Sequence, residues 1–282
     1  MKADFRFYGP LNDFLPPQHR SATLSRSFLL PGSVKDMIEA FGVPHPEIDL
    51  VLANGQPVSF SYRVQDGDRI TVYPAFRSID ISALPCMQTA PFELRFVLDT
   101  HLGRLAGYLR TLGFDTSYRN SWSDDELAQV AAQESRILLT RDRGLLKRGS
   151  VLRGHFIRST APRRQLQEVV EHYDLLPFAQ PFQRCISCNG LLRTVAKEQI
   201  RFHLPDRIAI QFHEFTTCDT CGKVYWQGSH FHRMKVFLQE VLYVPESARH
   251  ISNKKKSLLH EKAVEVNRVE ASALISEKQG TT

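Results

Sequence analysis

Two pairs of cysteines have the spacing of metal ligands. Cys185 and Cys188 form one Cys-x-x-Cys pair, and Cys218 and Cys221 form a second pair, with 29 residues between the two pairs. Four thiolates suit tetrahedral Zn²⁺, and a shell closed by four sulfur atoms leaves no position open for a substrate. The pattern therefore predicts one structural zinc ion in a zinc ribbon. The alternative, a redox pair or four unrelated thiols, is disfavoured by the paired spacing.

Three aspartates are placed so that they could meet at one edge of a sheet. Asp99 and Asp142 each follow a short apolar segment, which predicts them at the C-terminal ends of strands, and Asp124 begins a helical pattern. The neighbouring Asp125 is a candidate additional acid. Converging carboxylates need a cation, and Mg²⁺ or Mn²⁺ prefers oxygen ligands. Such a metal can activate water for attack on a phosphodiester. The structural alternatives are a helix cap and a turn residue.

A strongly basic segment follows the last of these aspartates. Between residues 141 and 164 Asp142 is the only acid. The cations are Arg141, Arg143, Lys147, Arg148, Arg153, Arg158, Arg163 and Arg164. This excess favours a polyanionic partner over the alternative of a merely solvated face.

The segment from Gly222 to Met234 interleaves aromatic residues with cations and histidines. Such residues can stack on bases and contact phosphates, although we interpret Tyr225 and Trp226 as core of the ribbon. His230 and His232 are predicted on a strand, with His230 as a candidate substrate contact and a surface role as its alternative.

The elements around these residues fall into separate modules. The first module shows the order strand, strand, helix, strand, strand, which is typical of a β-grasp fold. In chain order these elements are Phe5–Phe7, the apolar stretch Phe28–Leu30, a helix from Val34, Ile48–Ala53 and Ile70–Tyr73. In the middle of the chain, strands alternate with helices, which predicts an α/β fold with a parallel sheet and helices on both faces. The functional crevice of such a sheet lies at the C-terminal ends of its strands.

Length and composition agree with several soluble modules. The chain has 282 residues, 42% of them hydrophobic, and a net charge of +6. No apolar run is long enough to span a membrane, and the charged residues at the start do not resemble a signal peptide, so we expect a cytoplasmic protein without a membrane partner. The predicted boundaries are 1–83 for the β-grasp domain, 84–91 for a linker, 92–178 for the middle domain, 179–244 for the zinc ribbon and 245–282 for a basic, disordered tail.

Part of the first module resembles small ubiquitin-like sulfur-carrier proteins. The resemblance lies in Val51-Leu52-Ala53-Asn54-Gly55 and in Asp66-Gly67-Asp68-Arg69-Ile70. Sulfur carriers work through a free C-terminal Gly-Gly, whereas this chain continues through Pro74-Ala75-Phe76-Arg77. We therefore expect a docking role for this domain, with a protein partner.

The middle of the chain resembles the Mut-seven C-terminal RNase family, a branch of the PIN-like nucleases. The matching motifs are Phe96-Val97-Leu98-Asp99, Leu102-Gly103-Arg104-Leu105-Ala106, Leu112-Gly113-Phe114-Asp115, Asp124-Asp125-Glu126-Leu127 and Arg136-Ile137-Leu138-Leu139-Thr140-Arg141-Asp142. The resemblance implies a PIN-like sheet, preceded by a ubiquitin-like β-grasp domain and followed by a zinc ribbon. It also implies that Asp99, Asp124 and Asp142 are the metal-binding acids. Many PIN nucleases have a fourth acid, for which this chain offers only Asp115, on an apparent strand.

The combined prediction is a metal-dependent ribonuclease that uses Mg²⁺ or Mn²⁺ to cleave RNA. The candidate RNA contacts are Arg104, Arg110, Arg141, Arg143, Arg163, Arg164 and His230. Arg104 and Arg110 have an alternative role, which is to hold the acids by ion pairing. The competing hypotheses are a non-catalytic RNA-binding adaptor that uses the ribbon and the basic segment, and a protein-interaction module organised by the β-grasp domain.

Overall fold

The computed structural model describes residues 1–74 and 93–242. The predicted linker at 84–91 and the predicted tail at 245–282 lie outside the described residues. The described chain forms two compact units. Of the described residues, the first unit comprises 1–74, 93–168, 180–194 and 216–224, and the second comprises 169–179, 195–215 and 225–242.

The N-terminal domain is a β-grasp fold, as predicted. Its elements are β1 (Lys2–Phe7), β2 (Thr23–Ser27), α1 (Val34–Ala40), β3 (Leu50–Ala53), β4 (Gln56–Pro57) and β5 (Arg69–Tyr73). The sheet order is β2-β1-β5-β3-β4, with β1 and β5 parallel in the centre. Phe5 and Ile70 pair across these two strands and are buried together with Ile38 of α1.

One prediction for this domain is wrong. The second strand is not the apolar stretch Phe28–Leu30 but the polar segment Thr23–Ser27. This strand is at the edge of the sheet, where few side chains need to be buried, while Leu29 and Leu30 are exposed. The position of the apolar residues in the sequence therefore did not reveal the strand Thr23–Ser27.

The middle domain has a four-stranded parallel sheet. Its elements are β6 (Phe96–Leu98), α2 (Gly103–Thr111), β7 (Thr116–Tyr118), α3 (Asp124–Gln133), β8 (Ile137–Thr140), α4 (Arg143–Leu146), β9 (Gly154–Phe156) and α5 (Pro162–His172). The strand order is β7-β6-β8-β9. Every residue of β6 and β8 is buried, because a central parallel strand is covered on both faces.

Local signals in the sequence explain where these helices begin and end. Gly113 follows α2 with a φ of +95°, a left-handed conformation in which a glycine pays no steric penalty. A Cβ there would also lie 2.2 Å from the carbonyl oxygen of Gln180. At the start of α3, Ser123 and Glu126 form a reciprocal capping box.

The C-terminal region contains a small sheet and three helices. The strands are β10 (Leu192–Val195), β11 (Phe215–Cys218) and β12 (Val224–Trp226), and the helices are α6 (Lys197–Ile200), α7 (Asp206–Gln211) and α8 (Ser229–Leu242). His230 and His232 therefore lie on a helix, not on the predicted strand. The residues Phe231, Met234 and Phe237 recur at the helical spacing of three, which the shorter alternation of the histidines obscured.

Within residues 1–74 and 93–242, no helix is long and apolar enough to cross a membrane.

Candidate active site and cysteine cluster

The C-terminal edge of the parallel sheet brings Asp99 next to the end of β8. Leu98 pairs with Tyr118 of β7 on one side and with Leu139 of β8 on the other. Asp99, the next residue, lies beside Thr140, and the Thr140 hydroxyl donates a 2.8 Å hydrogen bond to Asp99 Oδ2. The register of three strands thus fixes the position of this carboxylate.

Asp99 is a buried carboxylate that the fold keeps ionised. It is 7% exposed, and its Oδ1 accepts hydrogen bonds from the Thr100 hydroxyl at 3.0 Å and the His101 N–H at 3.2 Å. Burial alone would raise the pKa of Asp99, but the hydrogen bonds from Thr140, His101 and Thr100 outweigh it and lower the pKa. A buried negative charge of this kind suits a cation ligand.

Thr140 joins the two aspartates that follow the central strands. Its hydroxyl donates to Asp99 and accepts a 2.9 Å hydrogen bond from the Asp142 N–H. The exposed Asp142 uses Oδ1 to cap α4, accepting from the N–H groups of Gly144 at 2.6 Å and Leu145 at 3.3 Å. Asp142 therefore does cap a helix, the alternative to a metal-binding role, but it uses only one of its two carboxylate oxygens for this. Sequence reasoning placed Thr140 in a motif but assigned it no role.

Asp124 and Asp125 occupy the exposed first turn of α3. Ser123, rather than either aspartate, caps the helix, so Asp124 is not needed for capping. Asp125 forms a salt bridge with Arg148, which gives this candidate acid a structural partner.

The side chains of the three predicted acids are not arranged as a three-ligand metal site in the structure. Among residues 1–74 and 93–242, the four cysteines are the only group of three or more Cys, His, Asp or Glu side chains arranged to hold a metal ion. The structure thus links Asp99 to Asp142 through Thr140 and leaves Asp124 on a separate element. The fourth-acid candidate, Asp115, precedes β7, at the opposite edge of the sheet from Asp99.

Tyr118, at the end of β7, is a further residue of this edge that sequence reasoning missed. Its hydroxyl donates a 2.8 Å hydrogen bond to the carbonyl oxygen of Thr100. Gly103 makes room for the ring, since a Cβ there would lie 2.7 Å from the Tyr118 hydroxyl oxygen. The glycine in the Leu-Gly-Arg motif was the available signal for this close approach.

The predicted RNA-contacting arginines have different environments in the structure. Four of them, Arg104, Arg141, Arg163 and Arg164, are exposed. Arg143 is also exposed, but its guanidinium lies against the rings of both Phe14 and Phe156, at 5.1 and 5.3 Å from their centroids, and donates to the carbonyl oxygen of Phe14. We therefore correct its assignment from an RNA contact to a contact with the β-grasp domain.

Arg110 requires a second correction. It is 5% exposed and donates hydrogen bonds of 2.9, 2.9 and 3.0 Å to the carbonyl oxygens of Thr116, Ile186 and Ser187. A guanidinium buried in this way has no surface to offer to RNA, and it does not pair with the acids either. It ties α2 to the first Cys-x-x-Cys loop, where the carbonyl oxygens of Ile186 and Ser187 accept its hydrogen bonds.

The same loop is held from the other side by Asn189. Its side chain donates to Asp115 at 2.8 Å and accepts from the Thr116 N–H at 2.9 Å. Asp115 also binds Arg136 at 2.6 Å, and these hydrogen bonds overcome the effect of burial to lower the pKa of Asp115. Asp115 is thus the centre of a structural clamp.

The four cysteines form a cluster whose donor set fits one zinc ion. Their sulfur atoms all lie within 4.8 Å of one another, with 3.7 Å between Cys185 and Cys221 and 3.3 Å between Cys188 and Cys218. A tetrahedral Zn²⁺ with Zn–S bonds of about 2.3 Å has sulfur atoms about 3.8 Å apart. Burial and the neighbouring thiols raise the pKa of Cys188 to about 12, because a thiolate among sulfur atoms needs a cation.

Gly190 lets the second cysteine pair approach the first. A Cβ at this position would lie 2.4 Å from the Thr220 hydroxyl oxygen and 2.8 Å from Cys218 Sγ. His230 belongs to α8 of the second unit, where it is exposed. Its predicted contact with substrate stays a prediction.

A buried ionic cluster joins the β-grasp domain to the middle domain. Glu47 accepts a 2.5 Å hydrogen bond from the Phe156 N–H and lies 3.1 Å from His155 Nδ1. The second ring nitrogen of His155 lies 3.1 Å from Glu168, and Arg158 binds Asp13 at 3.1 Å. Burial would raise the pKa of Glu47, but His155 and Arg158 lower it to about 2.

Three further contacts extend this interface along the segment that follows Asp142. His45 Nε2 lies 2.8 Å from the carbonyl oxygen of Val151, and Lys147 Nζ donates to the carbonyl oxygen of Glu39 at 2.8 Å. The rings of Phe14 and Phe156 pack edge to face, 5.6 Å apart. The β-grasp domain therefore holds much of the predicted arginine-rich segment.

Comparison with known proteins agrees with this division of the chain. The Mut7-C ubiquitin domain matches residues 1–80, and the Mut7-C RNase domain matches residues 94–238. No curated protein matches. Among solved structures, SAMP1 from Haloferax volcanii matches with 14% identity and a TM-score of 0.23, over 27% of this chain and 97% of that chain. The chain belongs to the Mut7-C RNase domain family and carries the Mut7-C ubiquitin domain ahead of it.

Proposed function

We propose that the protein is a metal-dependent ribonuclease that hydrolyses RNA phosphodiester bonds at the C-terminal edge of its parallel sheet. Family membership supports a nuclease. The observation that carries the proposal is the environment of Asp99, a carboxylate that is 7% exposed and yet has a lowered pKa. Among the described residues, the hydrogen bonds to Asp99 come from two hydroxyl groups and a backbone N–H and not from a cationic side chain, so its charge is available to a metal ion.

The donor set at this edge fits Mg²⁺ or Mn²⁺. Mg²⁺ is usually held by one or two carboxylates, several waters and the phosphates of the substrate, so Asp99 and Asp142 suffice to begin a site. Asp124 is the third acid that we assign to it. When bound, the metal supplies Lewis-acid activation of water and charge stabilisation at the phosphorus. The chain itself holds the carboxylates in place through Thr140, and the exposed Arg104 and Arg141 contact RNA phosphates.

The alternative function is a non-catalytic RNA-binding adaptor. It is favoured by one observation, namely that the three aspartates do not form a three-ligand metal group among the described residues. In this alternative the ribbon and the exposed arginines bind RNA, and the β-grasp domain contacts a protein partner.

We also propose that the cysteine cluster binds one structural Zn²⁺. Four sulfur donors within 4.8 Å support this proposal, and a closed shell of thiolates has no catalytic position. Cysteines arranged to hold a metal ion are typical of a reducing compartment, which favours the cytoplasm.

Cleavage of a labelled RNA by the full chain and by Asp142→Asn tests the function. We expect cleavage that depends on added Mg²⁺ or Mn²⁺, and a loss of at least about 100-fold in Asp142→Asn, because removing a metal ligand removes several kcal/mol of charge stabilisation. Metal should be omitted rather than chelated, so that the cysteine cluster keeps its ion.

Asp125→Asn is the matched control, since it removes a neighbouring exposed acid whose partner is Arg148. We expect it to cleave at nearly the parent rate. If the unmodified chain binds RNA but leaves it intact with either metal, the adaptor function replaces the ribonuclease. If Asp142→Asn cleaves normally, Asp142 has no part in the reaction.

A further inference from the structure

Charged residues at the carboxylate edge follow the order of the strands. In the order β7-β6-β8-β9, the charged residues within two positions of the strand ends are Arg119, Asp99, Arg141 with Asp142, and Arg158. The two acids follow the central strands, and each outer strand is followed by an arginine. An RNA strand that lies across this edge of the sheet would therefore meet one of the two outer arginines.

The β9 flank is already occupied by the β-grasp domain. Arg158 donates to Asp13 at 3.1 Å and to the carbonyl oxygen of Pro10 at 3.3 Å, and it lies 5.2 Å from the centroid of Phe14. The guanidinium of Arg143 lies against both Phe14 and Phe156. A phosphate would have to displace several charge-assisted contacts to reach either guanidinium, so this flank is a poor entrance.

The β7 flank carries an exposed arginine on an aromatic ring. The Arg119 guanidinium lies 5.4 Å from the centroid of Trp122, and Trp122 packs against the cluster that contains Val97 and Leu127. The partly buried indole is thus packed against the core of the domain. A guanidinium held over such a ring has fewer rotamers available than an isolated surface arginine.

The register places this pair next to Asp99. Leu98 is opposite Tyr118, so Asp99 and Arg119 are the next residues on neighbouring strands. The Tyr118 hydroxyl bond to the Thr100 carbonyl holds the two strand ends together beyond the ladder. A group bound on Arg119 would therefore lie beside the carboxylate.

On the basis of the proposed ribonuclease function, we propose that Arg119, supported by Trp122, is a stacking subsite for an unpaired nucleobase of the substrate. The flat guanidinium stacks on the base, and the phosphodiester next to that base lies over Asp99 and Asp142. Proteins that bind single strands use aromatic rings and arginine planes in this way, because every base offers a π face.

Binding measurements with the full chain test this subsite separately from cleavage. All variants carry Asp142→Asn, so that the RNA stays intact, and Trp226→Phe, so that Trp122 is the only remaining tryptophan of the two. The probes are a short single-stranded RNA and inorganic polyphosphate, a polyanion without bases. RNA that contains 2-aminopurine provides a second measurement in the chain with both tryptophans, should Trp226→Phe unfold the ribbon.

We expect RNA to quench Trp122 and polyphosphate to leave its emission nearly unchanged. Arg119→Ala should weaken RNA binding about 5- to 100-fold, the range for loss of one stacking surface. Arg119→Lys should lose most of the same affinity, because it keeps the charge without the plane. Arg69→Lys, at an exposed arginine of the β-grasp domain, is the matched control and should bind within twofold of the parent.

Three results would overturn the subsite: parent-like RNA binding by Arg119→Lys, an equal loss of RNA and polyphosphate binding in Arg119→Ala, or unchanged Trp122 and 2-aminopurine emission on saturation with RNA. Stacking on Arg119 without cleavage in the Asp142-containing chain would retain the subsite and reject the ribonuclease. Cleavage at the parent rate by Arg119→Lys would retain the ribonuclease and reject the subsite.

Discussion

Thr140 is the side chain on which the geometry of the two central aspartates depends. It is fully buried, donates to Asp99 and accepts from the Asp142 N–H. Both interactions pass through one hydroxyl oxygen, so a residue of the same shape without that oxygen should change the site and spare the fold. The hydroxyl also helps to keep Asp99 ionised.

Thr140→Val should therefore reduce RNA cleavage about 10- to 100-fold, the usual cost of removing a group that orients a metal ligand. Raising the Mg²⁺ concentration should recover part of the loss, because weaker metal binding is one of its causes. Thr140→Ser keeps the hydroxyl and is the matched control. The measurement is cleavage rate against Mg²⁺ concentration, and equal curves for Val and Ser would remove the hydroxyl from the site.

For individual residues, the sequence predicted the positions of the aspartates better than the contacts of the arginines. Asp99 directly follows a buried strand and Asp142 follows the next one after a single residue, so the strand register places their backbones. Arg110 and Arg143 were both predicted as RNA contacts, but one is buried against loop carbonyls and the other lies against two phenylalanine rings. A long cationic side chain can bind RNA or donate hydrogen bonds to the protein's own carbonyl groups, and only the tertiary contacts show which of these roles it has.

Among the elements, the first Cys-x-x-Cys loop is bound to the middle domain rather than appended to it. Arg110 holds the carbonyls of Ile186 and Ser187, and Asn189 holds Asp115 and Thr116. The separate apolar patterns of the two modules suggest independent folding, yet these polar contacts cross between them. Loss of metal from the loop should therefore also destabilise α2 and β7.

We expect Cys185→Ser to release zinc and to lower the melting temperature of the middle domain as well as that of the ribbon. Arg110 would lose its two acceptors in the loop, the carbonyl oxygens of Ile186 and Ser187, and leaving a buried group poorly paired costs about 1–3 kcal/mol. Zinc content and thermal unfolding measure the two effects. Cys86→Ser, at the fifth cysteine, is the control and should keep one zinc per chain. A zinc-free parent protein, prepared without chelator, would refute the site itself.

Element boundaries were predictable where capping chemistry was visible in the sequence. Gly113 ends the turn after α2, and Ser123 with Glu126 starts α3. The helical character of the His230 region was missed, because two histidines at a spacing of two suggested a strand. The strand Thr23–Ser27 was missed because it is a polar edge strand. Pattern reasoning follows burial, and it is least informative where an element is mostly exposed.

In the molecule as a whole, the main unexpected feature is the charge cluster between the first two domains. His155 is buried between Glu47 and Glu168, with Arg158 beside them. Burial lowers the pKa of His155, but the two carboxylates raise it above 6.5 overall. No sequence pattern could have paired residue 47 with residue 155, since the contact depends on how two domains dock.

The cluster predicts a pH optimum for stability. The contribution of protonated His155 is complete below its unfolded pKa of 6.5 and is lost as pH rises through its raised value in the folded state. The contribution of Glu47 is complete above 4.5 and is lost as pH falls through about 2. Both are present between about pH 4.5 and 6.5, so the free energy of unfolding should fall between pH 6 and pH 9.

Denaturant unfolding at pH 6 and pH 9 measures this loss. His155→Gln should be less stable than the parent at pH 6 and should show a smaller change between the two values. His19→Gln removes an exposed histidine and is the control. A parent protein that is equally stable at both values would contradict a protonated His155 that loses its proton within this range.

The docked β-grasp domain also has a consequence for the order of events during synthesis. Domains fold largely from the N-terminus as the chain leaves the ribosome, so Phe14 and Glu47 are in place before Phe156 and Arg158 emerge. The nascent β9 then meets a finished surface that supplies a carboxylate for its N–H and a ring for its phenylalanine. The first domain thus acts as a template on which the second completes its last strand.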